Sequence, residues 1–368
     1  MNHPRPTILM TGVAGHLASR LLPLLPDFQV AGVDRPAAAG HPNIVVCPMD
    51  LGREHSCIQL VRLLRESRAE AIVHLAFVLD PLRSGVTDQE YMWQINVAGT
   101  ARVMEAISEV NRHGGNIRKF IYPSSVAVYG PETAPMVDEE APLAAHTLNF
   151  AAEADSVVRF RTGSMGQCST YLLRPQIFAG ASAENYLVNA LRGQVCGNSS
   201  LANRLRRKQM RLPLLLPMGS RYRQKLFQLV HVDDVARLIA WLLRKPAPDE
   251  REVLTLNVAG SGSPIDITKC AEIAKTRVLR LPSGWLCSKV LGLLWNRGIS
   301  TVPPDTFPYV AGSYTMSTKR LRDLLGGDYP KVIQYSTEAA LRESFGGLQS
   351  AQETSDEISL SETEGTHK

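Results

Sequence analysis

The chain has 368 residues, of which 44% are hydrophobic and 20% charged, a balance that excludes a fibrous or wholly unstructured protein and is ample for a buried core. Forty Lys and Arg stand against 35 Asp and Glu, a net charge of +5 and a pI near 8.9. From Glu353 to Lys368 five acids face one base, so that stretch carries −4 and the body +9. A basic body suits a phosphorylated ligand, an anionic membrane face or nucleic acid, and bulk charge does not choose among them.

The six cysteines, at 47, 57, 168, 196, 270 and 287, contain no Cys-x-x-Cys pair, so neither a zinc site nor a disulfide framework is indicated and a reducing cytoplasm is expected. Met1 leads straight into an apolar strand pattern without a signal-peptide design. No apolar run reaches the ~18 residues of a membrane span.

In chain order, Thr7 to Met10 is a short apolar run ending in Thr11-Gly12, and Leu17 to Leu25 has helical spacing: strand, tight turn, helix. Gln29 to Val33 and Ile44 to Val46 read as strands, Ile58 to Leu64 as a helix and Ala71 to Leu75 as a buried parallel strand. Val97 to Val110 is a long helix and Lys119 to Tyr122 the next strand. Five strands alternating with helices predict an α/β doubly wound parallel sheet. Beyond Pro175 the alternation loosens, although Asp233 to Leu243 is a clear amphipathic helix and Leu254 to Val258 a strand. After Phe345 the composition turns polar and acidic, and a disordered tail is expected over 346–368.

The segment Thr11-Gly12-Val13-Ala14-Gly15-His16-Leu17-Ala18 lies where the first strand passes into the first helix. There Gly12 allows a tight turn, Gly15 lets backbone approach a pyrophosphate, and Ala18 fills the small position where helix packs on strand. Unpaired amides and the helix dipole would face the phosphates. Asp34, 22 residues after Gly12, ends the second strand where a carboxylate can accept both ribose hydroxyls and would repel a 2′-phosphate. NAD is therefore expected rather than NADP.

With these residues in view, a series of segments occurs in order: Thr11-Gly12-x-x-Gly15, Asp34, Asp50-Leu51, His74-Leu75-Ala76, Asn96-Val97-x-Gly99-Thr100, Ser124-Ser125 with Tyr129-Gly130, Leu173-Arg174-Pro175 and Val230-His231-Val232-Asp233-Asp234-Val235-Ala236. The chain, from about Thr7 to Phe345, resembles extended short-chain dehydrogenase/reductases of the NAD-dependent epimerase/dehydratase family, which includes nucleotide-sugar epimerases. The resemblance implies a Rossmann-type domain over 1–175 with 227–260 returning to it, and a smaller C-terminal substrate lobe over 176–226 and 261–345. It implies that Gly12, Gly15, His16 and Leu17 surround the pyrophosphate, Asp34 holds the adenine-side ribose, and Asp50 with Leu51 meets the adenine. Leu75 and Ala76 would line the cofactor and Asn96 would brace the central helix. Ser124 or Ser125 would hydrogen-bond the substrate oxygen; the alternative is a serine capping the turn after the fifth strand. A homodimer is expected by resemblance, and neither nucleic acid nor a membrane span is.

The departure from the pattern falls on the chemistry. In this family the acid/base is a tyrosine four residues before a lysine, whose ammonium favours the phenolate and binds the nicotinamide ribose. Anchored on Ala152-Glu153-Ala154-Asp155, the tyrosine position falls on Thr147 and the lysine position on Ala151; with a shortened segment, Phe150 is the nearest aromatic. No lysine occurs from Phe120 to Arg207. His146 and Glu153 are near enough to replace the pair, against a plain helix-start His and a surface Glu. Tyr129 reads as a pocket wall rather than a proton carrier.

Eight bases and no acid lie between Arg204 and Lys225. In the family's substrate lobe an arginine of this region clamps the diphosphate, a task suited to a guanidinium fork. Arg221 and Arg223, just before the Phe227 to His231 strand, are the candidates, with Asn185 a further one and a solvated basic face the alternative. Trp285 to Trp295 reads as a lobe helix packed on the core, or else as a membrane-surface or partner-binding helix. Asp233 and Asp234 read as a helix N-cap and a first-turn acid. The three functions weighed are hydride transfer on a nucleotide sugar or related hydroxyl/keto substrate with an atypical acid/base, a catalytically silent NAD-binding scaffold or redox sensor, and docking of the basic insert and apolar lobe on a membrane or protein partner.

Overall fold

A computed structural model describes residues 5–35, 44–78, 88–144 and 150–346. Thirteen strands are formed: β1 Thr7–Thr11, β2 Gln29–Asp34, β3 Val45–Pro48, β4 Ala71–His74, β5 Lys119–Pro123, β6 Ser169–Pro175, β7 Ile177–Ala179, β8 Leu214–Pro217, β9 Leu226–Phe227, β10 Leu229–His231, β11 Val253–Val258, β12 Ile265–Asp266 and β13 Val278–Leu281. Seven build one parallel sheet in the order β11-β6-β5-β4-β1-β2-β3. The chain runs outward from β1 through β2 to β3, then returns to β4 and winds the other way. That reversal opens a crevice above the carboxyl ends of β1 and β4, the usual ligand position of such sheets. β4 and β6 are buried along their whole length, as strands covered on both faces are.

The expected doubly wound sheet is therefore present, with differences that have local causes. The first helix is only His16–Leu21, because Pro23 converts its end into a 3₁₀ turn, Leu22–Leu24. The long helix is Gly99–Arg112, entered through a π-helical turn over Gln94–Ala98. The strand expected over Phe227 to His231 is two, β9 and β10, which pair with β12 and β7 respectively. Three such two-stranded ladders, the third being β8 with β13, make up the looser C-terminal part. The cap of helix Val232–Arg244 is His231, whose Nδ1 accepts from the Asp233 amide, so both Asp233 and Asp234 lie inside the first turn. The acidic stretch 347–368 lies outside the described residues.

Candidate functional site

The turn after β1 is built around one position that excludes a side chain and one where a side chain would be tight. Gly12 has φ +68°, and a Cβ there would stand 2.6 Å from the Ala76 amide nitrogen; a Cβ on Gly15 would stand 3.0 Å from the Gly12 carbonyl oxygen. The Gly12 amide bonds the Val33 carbonyl at 2.8 Å, tying the turn to β2. The first bond within helix His16–Leu21 is from the Ser19 amide to the Gly15 carbonyl, and Gly15 supplies no side-chain cap. The amides of residues 16–18 thus precede the helical ladder and point out of the helix start. Asp34 stands at the end of β2, its Oδ2 accepting from the Ala14 amide at 2.8 Å and its Oδ1 from the Arg35 amide at 2.7 Å. His16 reaches across the mouth of the crevice, its Nε2 2.7 Å from the Ser182 hydroxyl. Arg20 grips Asp233 through two bonds of 2.5 and 2.6 Å, fastening the same helix to the one that follows β10.

The floor of the crevice is held by a directed chain of hydrogen bonds through His74. Thr100 Oγ1 spends its proton on the Asn96 carbonyl at 2.6 Å, so it accepts from His74 Nε2 at 3.0 Å. Nδ1 therefore accepts from the Thr11 hydroxyl at 2.6 Å, and Thr11 Oγ1 in turn accepts from the Ala76 amide at 3.2 Å. Burial between strands pushes His74 down to about 3, which keeps the ring neutral. Asn96 closes the loop after β4 from the other side, its Oδ1 accepting from the Val78 amide and its Nδ2 donating to the Val78 carbonyl. The expected brace is thus between the central helix and the segment carrying Leu75 and Ala76, both half-buried.

At the end of β5 the two serines are turned inward. Ser124 donates to Asp155 Oδ2 at 2.9 Å, and Ser125 caps the 3₁₀ turn Val126–Tyr129 by accepting from the Ala127 amide. Asp155, fully buried, receives the Arg174 guanidinium through both oxygens at 2.9 and 2.8 Å. Arg174 also donates to the Tyr129 hydroxyl at 2.8 Å and to the Glu139 carbonyl at 3.0 Å. Tyr129 passes its proton to Asn257 Oδ1 at 2.8 Å and is a member of this buried network rather than a pocket wall. Desolvation pushes the Tyr129 hydroxyl above the usual range, against the pull of Arg174. The network was missed in sequence reading, although an arginine inside the apolar run Tyr171-Leu172-Leu173-Arg174 signals a buried counter-charge.

Ala151, on which the lysine position is expected to fall, lies in helix Phe150–Arg161 and is buried in one core cluster with Val126, Val128 and Tyr129. Glu153 accepts from the Trp93 indole at 2.6 Å. Thr147 and His146 lie outside the described residues. Lys119, the lysine nearest in sequence, caps the carboxyl end of helix Val232–Arg244 through the Leu242 and Leu243 carbonyls at 2.9 and 2.8 Å.

The remaining candidates occupy the crevice wall and the lobe. Asp50 accepts from the Gly52 amide at 2.9 Å and from the Tyr91 hydroxyl, whereas the Leu51 side chain is packed in the core. Asn185 caps helix Tyr186–Arg192 through Val188 and donates to the Phe178 carbonyl at 2.6 Å. Arg221 stacks on its neighbour Tyr222 at 4.7 Å, and Arg223 is exposed. The basic stretch is not one solvated face, because its middle is the buried strand β8. Lys225, joined to Glu132, brings its end beside the loop that follows Tyr129. Among the described residues no group of three His, Cys, Asp or Glu side chains is placed to hold a metal ion, and no helix is long and apolar enough to cross a membrane.

The sheet order and the glycine turn at its switch point define a Rossmann-type α/β protein. The chain belongs to the NAD dependent epimerase/dehydratase family, whose sequence model matches residues 8–259. A UDP-glucose 4-epimerase of Azospirillum brasilense is 30% identical over 141 residues, which is 37% of this chain and 38% of that protein. The chain thus matches little more than a third of that relative's length. The same fold occurs in the Thermus thermophilus UDP-glucose 4-epimerase complex with NAD, at TM-score 0.61 and 20% identity over 92% of this chain and 99% of the other. It occurs also in the Bacillus anthracis dTDP-glucose 4,6-dehydratase in complex with NAD, at TM-score 0.61 and 17% identity over 95% and 98%.

Proposed function

We propose that this chain binds NAD above β1, β2 and β4 and a nucleotide sugar or related hydroxyl/keto ligand beside Ser124 and Ser125, without the tyrosine–lysine proton relay of its family. The observation that carries the cofactor reading is the tight Gly12–Gly15 turn, packed on the Leu75–Ala76 backbone and opening into the start of helix His16–Leu21, with Asp34 2.8 Å from its Ala14 amide. Gly12, Gly15, His16 and Leu17 would hold the pyrophosphate, Asp34 the adenosine ribose, and Asp50 and Leu51 the adenine. Leu75 and Ala76 would line the nicotinamide side, on a loop that Asn96 keeps in place. Bound NAD supplies a hydride acceptor. Relatives solved with NAD support the reading.

The silent form of the function is favoured over hydride transfer with an atypical acid/base by what the polar groups are doing. The Ser124 proton is committed to Asp155, Ser125 accepts the Ala127 amide as a turn cap, Ala151 has no amine, and Glu153 is engaged by Trp93. Loss of a general acid/base costs ~10²–10⁴-fold in rate. Arg221, Arg223 and Asn185 are proposed for the ligand diphosphate. The division into a body, 1–175 with 227–260, and a lobe, 176–226 with 261–345, a homodimeric state and a cytoplasmic site belong to the same reading.

Calorimetric titration with NAD, NADH and NADP, followed by turnover against a panel of nucleotide sugars, tests it. NAD binding with no turnover is the expected result. No dinucleotide binding overturns the cofactor assignment, and turnover near that of family enzymes overturns the loss of the relay. Thr147→Tyr with Ala151→Lys is expected to raise turnover from that baseline.

A further inference from the structure

We propose that the face of the C-terminal lobe formed by residues 185–232 and 273–304 is a docking surface for an anionic lipid membrane. The first stretch holds nine Lys and Arg, of which Lys225 is paired with Glu132, and no Asp or Glu; the second holds five bases, with exposed Asp305 just beyond it on the turn packed against helix Gly284–Asn296. The fold brings the two together. β8 of the first pairs with β13 of the second from Leu214 with Val278 to Pro217 with Leu281, and the Cys196 amide bonds the Ile299 carbonyl at 2.9 Å. Helix Gly284–Asn296 packs on these strands, and the turn at its end abuts the segment that leads into helix Ser200–Arg207.

The apolar residues of this face are only partly covered. Of the thirteen residues in helix Gly284–Asn296 only Cys287 is buried, while Trp285 is 69% and Leu293 52% exposed. Leu201, Met210, Met218 and Leu279 are exposed around them. The lobe helix packed on the core that the sequence suggests is thus present through Cys287, Val290 and Leu291, while Trp285 and Leu293 are left exposed. Arg204, Arg206, Arg207, Lys208, Lys289 and Arg297 of the same two stretches are exposed. Lys289 lies over the Trp285 ring at 5.7 Å, an aromatic and an ammonium at one level, as at a headgroup boundary.

The mixture decides the partner. Bases alone fit any polyanion, but aliphatic side chains gain nothing from a phosphodiester backbone and do gain from the acyl boundary of a bilayer. The helix, about 20 Å long at 1.5 Å per residue, is too short to span and long enough to lie in the interface. Each base near an anionic surface strengthens binding on the order of fivefold, an effect that salt screens.

The test is flotation of the full chain with vesicles of phosphatidylcholine alone and of phosphatidylcholine with one third phosphatidylglycerol. Retention on the second but not the first, lost at high salt, is expected. Trp285→Asp should weaken retention by an order of magnitude or more, and Arg204→Glu with Arg207→Glu and Lys208→Glu should abolish it, with unchanged circular dichroism. Should a variant fail to fold, the unmodified protein still answers: brominated phosphatidylglycerol should quench its tryptophan fluorescence. Absence of retention, equal retention on neutral vesicles, unaltered retention of a folded Trp285→Asp variant, or absence of quenching overturns the proposal. So does binding of a 30-nucleotide RNA that displaces the protein from vesicles and is indifferent to Trp285→Asp.

Discussion

Arg174→Met is the perturbation that examines the buried network most directly. Arg174 and Asp155 are both fully buried, and the guanidinium makes two bonds to the carboxylate and one each to Tyr129 and the Glu139 carbonyl. Removing it leaves the Asp155 carboxylate with Ser124 as its remaining donor in this network. A buried charge stripped of its partner costs about 3–5 kcal/mol, a large share of a stability of ~5–15 kcal/mol. Removing both charges with Arg174→Met and Asp155→Leu restores most of that loss, because the pair's own attraction roughly offsets its desolvation. Ser124→Ala takes away one neutral donor to a charge and should cost ~1.5 kcal/mol. Urea unfolding followed by tryptophan fluorescence provides the measurement. A cost under about 1 kcal/mol for Arg174→Met, or a double variant equal to the sum of its singles, would refute the account.

Three further outcomes are expected. Gly12→Ala forces a Cβ onto the Ala76 amide at positive φ, so NAD affinity should fall at least tenfold in calorimetry; unchanged affinity would place the dinucleotide elsewhere. Asp34→Ala should weaken NAD by about ten- to a hundredfold, the worth of hydrogen bonds to a charged group, and narrow the preference over NADP. Because burial holds His74 at about 3 against ~6.5 when unfolded, unfolding takes up a proton between those values. Its contribution is complete above pH 6.5 and is lost as pH falls, about 2 kcal/mol from pH 7 to pH 5, and a His74→Gln variant should show a flatter dependence in urea midpoints.

How much of this was legible in the sequence follows from how local each signal is. The run Thr7 to Met10 with Gly12 and Gly15 specifies a strand, a turn and a helix start within twelve residues, and β1, its turn and Asp34 stand where spacing put them. The split of β9 and β10 was not legible, because it depends on partners at Ile265 and Ile177 that sequence does not rank. The roles of Ser124 and Ser125 were equally hidden: a serine after a strand serves a ligand or a cap, and the choice rests on Asp155, thirty-one residues away. Nor did the apolar spacing of Trp285 to Trp295 reveal that Trp285 and Leu293 stay exposed, since periodicity reports a face and not what meets it.

Both ring nitrogens of His74 are bonded inside a site closed to water, and the order of donors fixes the proton on Nε2. Such a proton leaves only when the loop carrying Leu75 and Ala76 opens, which makes the imidazole a natural isotope clock for the crevice. Its exchange lifetime reports, without any label or substitution, whether a molecule arriving above β1 and β4 tightens that floor or loosens it.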